Sequence, residues 1–400
     1  MNPASKYWLN NFFSDVKIKI GKYKNISDSR LYLLIAQTGI LYDIPVKSIF
    51  YNKKKYTEWN NIELFKVIYI EVLTLISVNN LKTDNTSVII NKIYNFINIQ
   101  NKQNDNIDHK ITLIENYINN LFAQKTLKSK LLYNDSYNFT FIDFYLYYNF
   151  LKNNNLHNFQ YQKEQYIGET LKFIDLFINK NNNVTKLEND IYKHYLDSAK
   201  NYIDHFDINK INKINKINYD LFDNNFIKRL IIDIAIIIFL EDSNIDDQEE
   251  KVLSDLINKF NVEDKYLQQS IIFVENFILE NSGKIFYLNK RKLPYITKSL
   301  ANRVSKLIKK NKNMIISEIR ESGELLVLIQ KSLKTELTIE EKQKINKQIK
   351  DIIKSIPALA IFMIPGGTII LPIILKILPN DLVYPSSFKN EKQINNDIKN

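Results

Sequence analysis

Along most of the chain, apolar residues recur three and four positions apart, the spacing that puts them on one face of a helix. The pattern is plain at residues 30–42, 61–78, 87–99, 111–122, 164–178 and 187–206. Asn60 or Asn61 is placed to cap the second of these helices, and Thr86 or Ser87 the third. Residues 139–150, FTFIDFYLYYNF, are aromatic enough to form a strand, but helix is the better reading, and these rings are expected in the core. Asparagine-rich runs at 153–158 and 181–183 read as loops. Residues 230–240 are almost wholly apolar but interrupted by Asp233, and eleven residues are too few to span a bilayer, so a buried core helix is expected. The fold class is therefore all-α. The expected organisation is an N-terminal helical region (1–158), a second helical region (159–334), a membrane-type segment (335–389) and a polar tail (390–400).

One stretch departs from this pattern. Residues 356–375, IPALAIFMIPGGTIILPIIL, contain no charge, and twenty helical residues cover about 30 Å, the thickness of a bilayer's hydrocarbon core. Pro357, Pro365 and Pro372 each remove a backbone hydrogen bond, and in lipid the freed carbonyls need other partners. A broken or re-entrant helix pair, packed through Gly366 and Gly367 against a second copy of the chain, meets that need, with membrane lipid around it. A buried hairpin in a soluble core is the alternative. Thr338 and Glu341 form a capping-box pattern ahead of this stretch, starting an amphipathic helix that carries Lys342, Lys344, Lys347, Lys350 and Lys354 toward it. Lysines in that position mark the side that stays cytoplasmic.

Composition narrows the function classes. Glycine (7) and proline (8) are too scarce for a turn-rich sandwich or barrel. Cysteine is absent, which excludes disulfides, thiolate metal sites and cysteine nucleophiles. The four histidines form no HxxxH or ExxH pair, and no phosphate-binding glycine loop or nucleophile elbow is present, so no enzyme is expected. The start has no basic stretch followed by an apolar one, so no secretory signal is expected. The net charge is +11, but the repeat INKINKINKIN at 208–218 indicates a drift toward Asn, Lys and Ile that weakens charge as evidence. Charge is most one-sided at residues 281–317, where Lys284, Lys290, Arg291, Lys292, Lys298, Arg303, Lys306, Lys309, Lys310 and Lys312 occur without one carboxylate. Such a face suits anionic lipid headgroups or a phosphate backbone, or is simply a solvated surface. No zinc knuckle, Arg-Gly repeat or other nucleic-acid module accompanies it, so no specific DNA partner is expected.

The turn after residue 240 is acidic. A calcium loop starting at Asp242 would use Asn244 and Asp246 next, but it needs Gly sixth and Glu twelfth, where Asp247 and Leu253 stand. The pattern favours a helix cap in which Asp246 accepts from the next helix's first turn and Glu249 reaches back to the Asp246 amide. Calcium held by Asp242, Asn244, Asp246 and Glu249 is the alternative; no other cofactor is implied. Asp242, Ile245 and Glu249, following an apolar helix, resemble the acidic turn of the tellurite-resistance TerB-like helical module, with Ser243 in place of its glycine. The resemblance covers residues 226–333 and implies a metal-binding role for these acids in some relatives.

Residues 337–388 resemble the membrane region of the Letm family, leucine-zipper and EF-hand transmembrane proteins of the mitochondrial inner membrane with bacterial relatives. The residues that carry it are Leu337, Thr338, Glu341, Lys347, Asp351, Lys354, Pro357, Pro365, Pro372, Lys376, Pro379 and Asn380, with the exit Pro385-Ser386-Ser387-Phe388. The resemblance implies a place in the inner (cytoplasmic) membrane, cation–proton homeostasis and ribosome binding. Two departures shape the expectation. Thr368 stands where the family carries a carboxylate, the natural ion or proton carrier inside a membrane. The family's ribosome-binding domain follows the span, and none is expected here. The expected protein is a non-enzymatic accessory or anchor with its bulk facing the cytoplasm. The alternative is a soluble or peripheral helical scaffold docking on anionic lipid or the ribosome through residues 281–317.

Overall fold

A computed structural model describes residues 1–97, 106–123, 139–153, 159–180, 195–199, 217–240, 245, 247–285, 293–332 and 335–355. Among these every regular element is helical, as the spacing predicts. The chain divides into two compact units: Met1–Leu267 with Asn281–Asn289, and Gln268–Glu280 with Lys290–Asn400.

The first unit is built around α4 (Asn61–Leu81), whose residues from Leu64 to Asn79 are buried on nearly every face. A helix apolar all round belongs at the centre of a bundle. Its neighbours are α2 (Asp28–Ala36), α5 (Thr86–Ile97), α6 (Ile107–Ala123) and α7 (Thr140–Asn153). Its start is a full capping box: the Asn60 side chain accepts from the Glu63 amide at 2.9 Å, and Glu63 accepts from the Asn60 amide at 2.8 Å. The cap of α5 is one residue earlier than expected. Asn85, not Thr86 or Ser87, accepts from the Ser87 amide at 3.0 Å.

The aromatic run of α7 is helical and buried, from Phe141 through Tyr147. Its alternation resembles a strand only because α7 is apolar on several faces at once. The hydroxyls it buries are partnered: Tyr147 with Ser77 at 2.5 Å, and Tyr145 donating to Asp223 at 2.6 Å. The stretch 30–42, expected as one helix, is broken. α2 ends at Ala36, Gly39 takes φ 81°, and a 3-10 turn (Ile40–Tyr42) follows. A side chain is strained at that φ, so Gly39 is the physical reason for the break.

The unit is completed by α1 (Trp8–Val16) on α6, by the short α3 (Lys53–Tyr56), and by α8 (Phe159–Lys180), α9 (Asn225–Phe239) and α10 (Asp247–Phe260), the last three packing on one another. α9 is the buried core helix expected from its sequence. Most of the helix expected at 187–206 lies outside the described residues. Helix α11 (Asp264–Asn281) supplies residues 268–280 to the second unit, which continues with α12 (Leu293–Lys310), α13 (Lys312–Glu321), α14 (Gly323–Ser332) and α15 (Ile339–Ser355). In this unit α13 touches α12, α14 and α15, and α14 packs along α15. No described helix is long and apolar enough to cross a membrane, and residues 356–375 lie outside the described residues.

Candidate functional site

Helix α15 leads into the uncharged stretch, and its construction follows from its sequence. The Thr338 hydroxyl accepts from the Glu341 amide at 3.2 Å, while the Glu341 carboxylate accepts from the Thr338 amide at 2.9 Å. The predicted capping box is therefore present. Ile345, Ile349 and Ile352 form the buried stripe, and Leu325, Leu328 and Ile329 are buried on the neighbouring α14. Side chains on the polar edges tie the two helices together. Lys331 meets Glu341 at 2.6 Å, Lys344 meets Glu324 at 3.0 Å, and Gln348 donates to Glu324 at 2.6 Å. The Lys331 hydrogen bond holds Glu341 below the ordinary carboxylate range, and the Glu324 hydrogen bond raises Lys344. Each such pair is exposed and adds little stability. Their effect is to engage Lys344, while Lys342 and Lys347 face solvent with Asp351 exposed nearby along the helix. Lys354 lies in the last turn. Pro357, Pro365, Gly366, Gly367, Thr368, Pro372, Lys376 and Pro379 lie outside the described residues.

The basic segment is partly gathered on α12. Ile296, Leu300, Val304 and Ile308 form its buried stripe, and Lys298, Lys306, Lys309 and Lys310 are exposed. Arg303 does not belong with them. Its Nε lies 3.5 Å from Glu275, a fully buried carboxylate that also accepts from the Ser299 hydroxyl at 2.7 Å. Burial pushes Glu275 upward, while Ser299 and Arg303 offset part of that shift. Arg303 therefore serves the interior of the unit. Lys284, half-buried and lowered by burial, donates to the Pro45 carbonyl at 3.4 Å and is likewise no part of a solvated face. Lys290, Arg291 and Lys292 lie outside the described residues.

Of the acidic turn, Asp242, Asn244 and Asp246 also lie outside the described residues; Glu249 is buried in the first turn of α10. Among the described residues no group of three or more His, Asp or Glu side chains could hold a metal.

A second polar centre was not expected from the sequence. Asp233, fully buried on α9, accepts from the Tyr32 hydroxyl at 2.5 Å and from the Tyr42 hydroxyl at 2.6 Å. Burial and then the Asp233 charge raise both phenols well above their ordinary range, which keeps them as donors. One turn earlier, Arg229 stacks its guanidinium 4.7 Å from the Tyr32 ring centre and donates to the Ser29 hydroxyl at 3.1 Å. A charged residue inside the apolar run of residues 230–240 was the only signal. The tyrosines that meet it are about two hundred residues away in sequence, and Tyr42 is brought there past the Gly39 turn.

Compared with known proteins, residues 337–400 match a family model described as LETM1-like, RBD. No curated protein and no solved structure matches the chain. The match supports the Letm resemblance over the same residues. The matched residues include the uncharged stretch, in a part of the chain where no such domain was expected. The TerB-like resemblance at residues 226–333 gains no support.

Proposed function

We propose that this protein is a LETM1-like, non-enzymatic accessory protein that docks on the ribosome through residues 337–400 and is held at the inner membrane by residues 356–375, with its helical bulk on the cytoplasmic side. The observation that carries this reading is the LETM1-like RBD match, the name of a ribosome-binding domain, over residues 337–400. The described part of that domain has a suitable surface. α15 is fixed to α14 along one side and presents Lys342 and Lys347 to solvent, and Lys298, Lys306, Lys309 and Lys310 are exposed on α12 of the same unit. Exposed lysines on rigid helices suit the phosphate backbone of ribosomal RNA, which rewards charge and needs no base recognition. Thr368 in place of the family's carboxylate favours an accessory role in cation and proton homeostasis over exchange itself.

Co-sedimentation of the full chain with ribosomes tests the docking. Lys342→Glu combined with Lys347→Glu should weaken binding at least about tenfold, since each lost phosphate contact also reduces the salt dependence. Equal sedimentation of wild type and variant at every salt concentration contradicts it. Alkaline carbonate extraction tests the anchor: the protein should stay in the pellet, and full release into the supernatant removes the integral-membrane part of the proposal.

A further inference from the structure

A cleft of about 240 Å³ opens in the first unit where the N-termini of α2 and α9 come together. Arg229, Lys152, Asp28, Asp223 and Asn224 are among its lining residues. Arg229 is only 4% exposed, yet its Nε and Nη2 have no hydrogen-bond partner. Those two N–H groups form the side edge of the guanidinium, the pair that takes both oxygens of one carboxylate. The rest of the group is engaged, with Nη1 on Ser29 and the ring of Tyr32 beneath it. An arginine oriented in this way, with a bidentate edge left over, is costly to bury unless an anion completes it.

The other charges define what kind of anion fits. Lys152 is exposed at the cleft, its Nζ 4.3 Å from the Tyr148 ring centre. Asp28 and Asp223 are exposed there too, and each accepts from a tyrosine hydroxyl, Tyr148 at 3.3 Å and Tyr145 at 2.6 Å. Two cations face two carboxylates, so a dianion such as phosphate meets as much repulsion as attraction. A molecule bearing one carboxylate and one ammonium meets complementary charge at both ends. We propose that this cleft binds a small zwitterion of the free α-amino acid class, its carboxylate on the Nε–Nη2 edge of Arg229 and its ammonium on the carboxylates of Asp28 and Asp223. Tyr148 and Phe226, which also line the cleft, supply apolar surface for a side chain.

The test is calorimetric titration of the full-length wild-type chain with alanine, leucine, phenylalanine, acetate, ethylammonium and inorganic phosphate. At least one amino acid should bind saturably, about tenfold or more tighter than acetate or ethylammonium, and phosphate should bind more weakly still. Arg229→Lys keeps the charge and loses the fork, and should weaken the amino acid at least about tenfold. Because Arg229 is buried and its variant risks misfolding, Asp223→Asn is the second variant. It should bring amino-acid affinity down toward that of acetate while leaving acetate no weaker. Absence of saturable binding by any probe to wild type up to about 10 mM overturns the site. Phosphate as the tightest ligand, or an Asp223→Asn chain that binds amino acids unchanged, overturns the zwitterion assignment.

Discussion

Several residues that hold the first unit together are carboxylates turned inward. Glu71 sits inside α4, fully buried, and accepts from the Ser48 hydroxyl at 2.5 Å and from the amides of Ile49 and Phe50 at 2.7 and 3.2 Å. It thereby fixes the loop that carries Phe50. Burial raises its pKa to about 7, against the lowering effect of those hydrogen bonds. A carboxyl raised in the folded state favours folding fully below its unfolded value and loses that contribution as pH rises through the folded value. Stability should therefore fall between about pH 4.5 and pH 7 by up to about 3 kcal/mol from this group, and Glu71→Gln should flatten that slope in melting curves taken across the range. Glu115 plays a related part on α6. α1 has no local cap, and Glu115 accepts instead from the amides of Tyr7 at 2.9 Å and Leu9 at 3.0 Å. Glu115→Ala leaves the buried Leu9 amide unpaired and should cost about 1–3 kcal/mol of unfolding free energy, seen as a lower urea midpoint. Neither role is legible in the sequence. Glu71 reads as one acid in an apolar helix, and Glu115 as a surface acid, because their partners are distant or are backbone amides with no residue signature.

Elements were far more legible, because helical spacing and caps are local. The boxes at Asn60–Glu63 and Thr338–Glu341 were both visible three residues apart, and α4, α9 and α15 were expected near their observed positions. The misses have local causes as well. Gly39 ends a helix that apolar spacing alone would continue, and Asn85 outcompetes two good capping residues beside it. At the site, the lysine row of α12 was legible as charge, but Arg303 was not separable from it. Its partner Glu275 lies on another helix, outside the carboxylate-free segment. Removing the Thr338 cap with Thr338→Ala should destabilise α15 by about 1 kcal/mol, seen as faster amide exchange in its first turn while α4 keeps its protection.

On the scale of the whole molecule, the helical first unit and the basic second unit divide the work proposed for them. The first carries the Arg229 cleft, and the second carries exposed lysines and contains the matched residues 337–400. Composition and spacing announced the helices seen in the described residues, and the proline-broken stretch lies within the residues that match the LETM1-like model; the cleft was invisible because its charges come from three separate helices and the loop that carries Asp223. The most direct test of the central claim is a ribosome-binding titration of the full chain beside a chain ending at Glu336, with circular dichroism confirming that the remaining helices persist. The account predicts saturable binding by the full chain that weakens steeply with salt, and loss of that binding on truncation. Equal affinity of the truncated chain would contradict it.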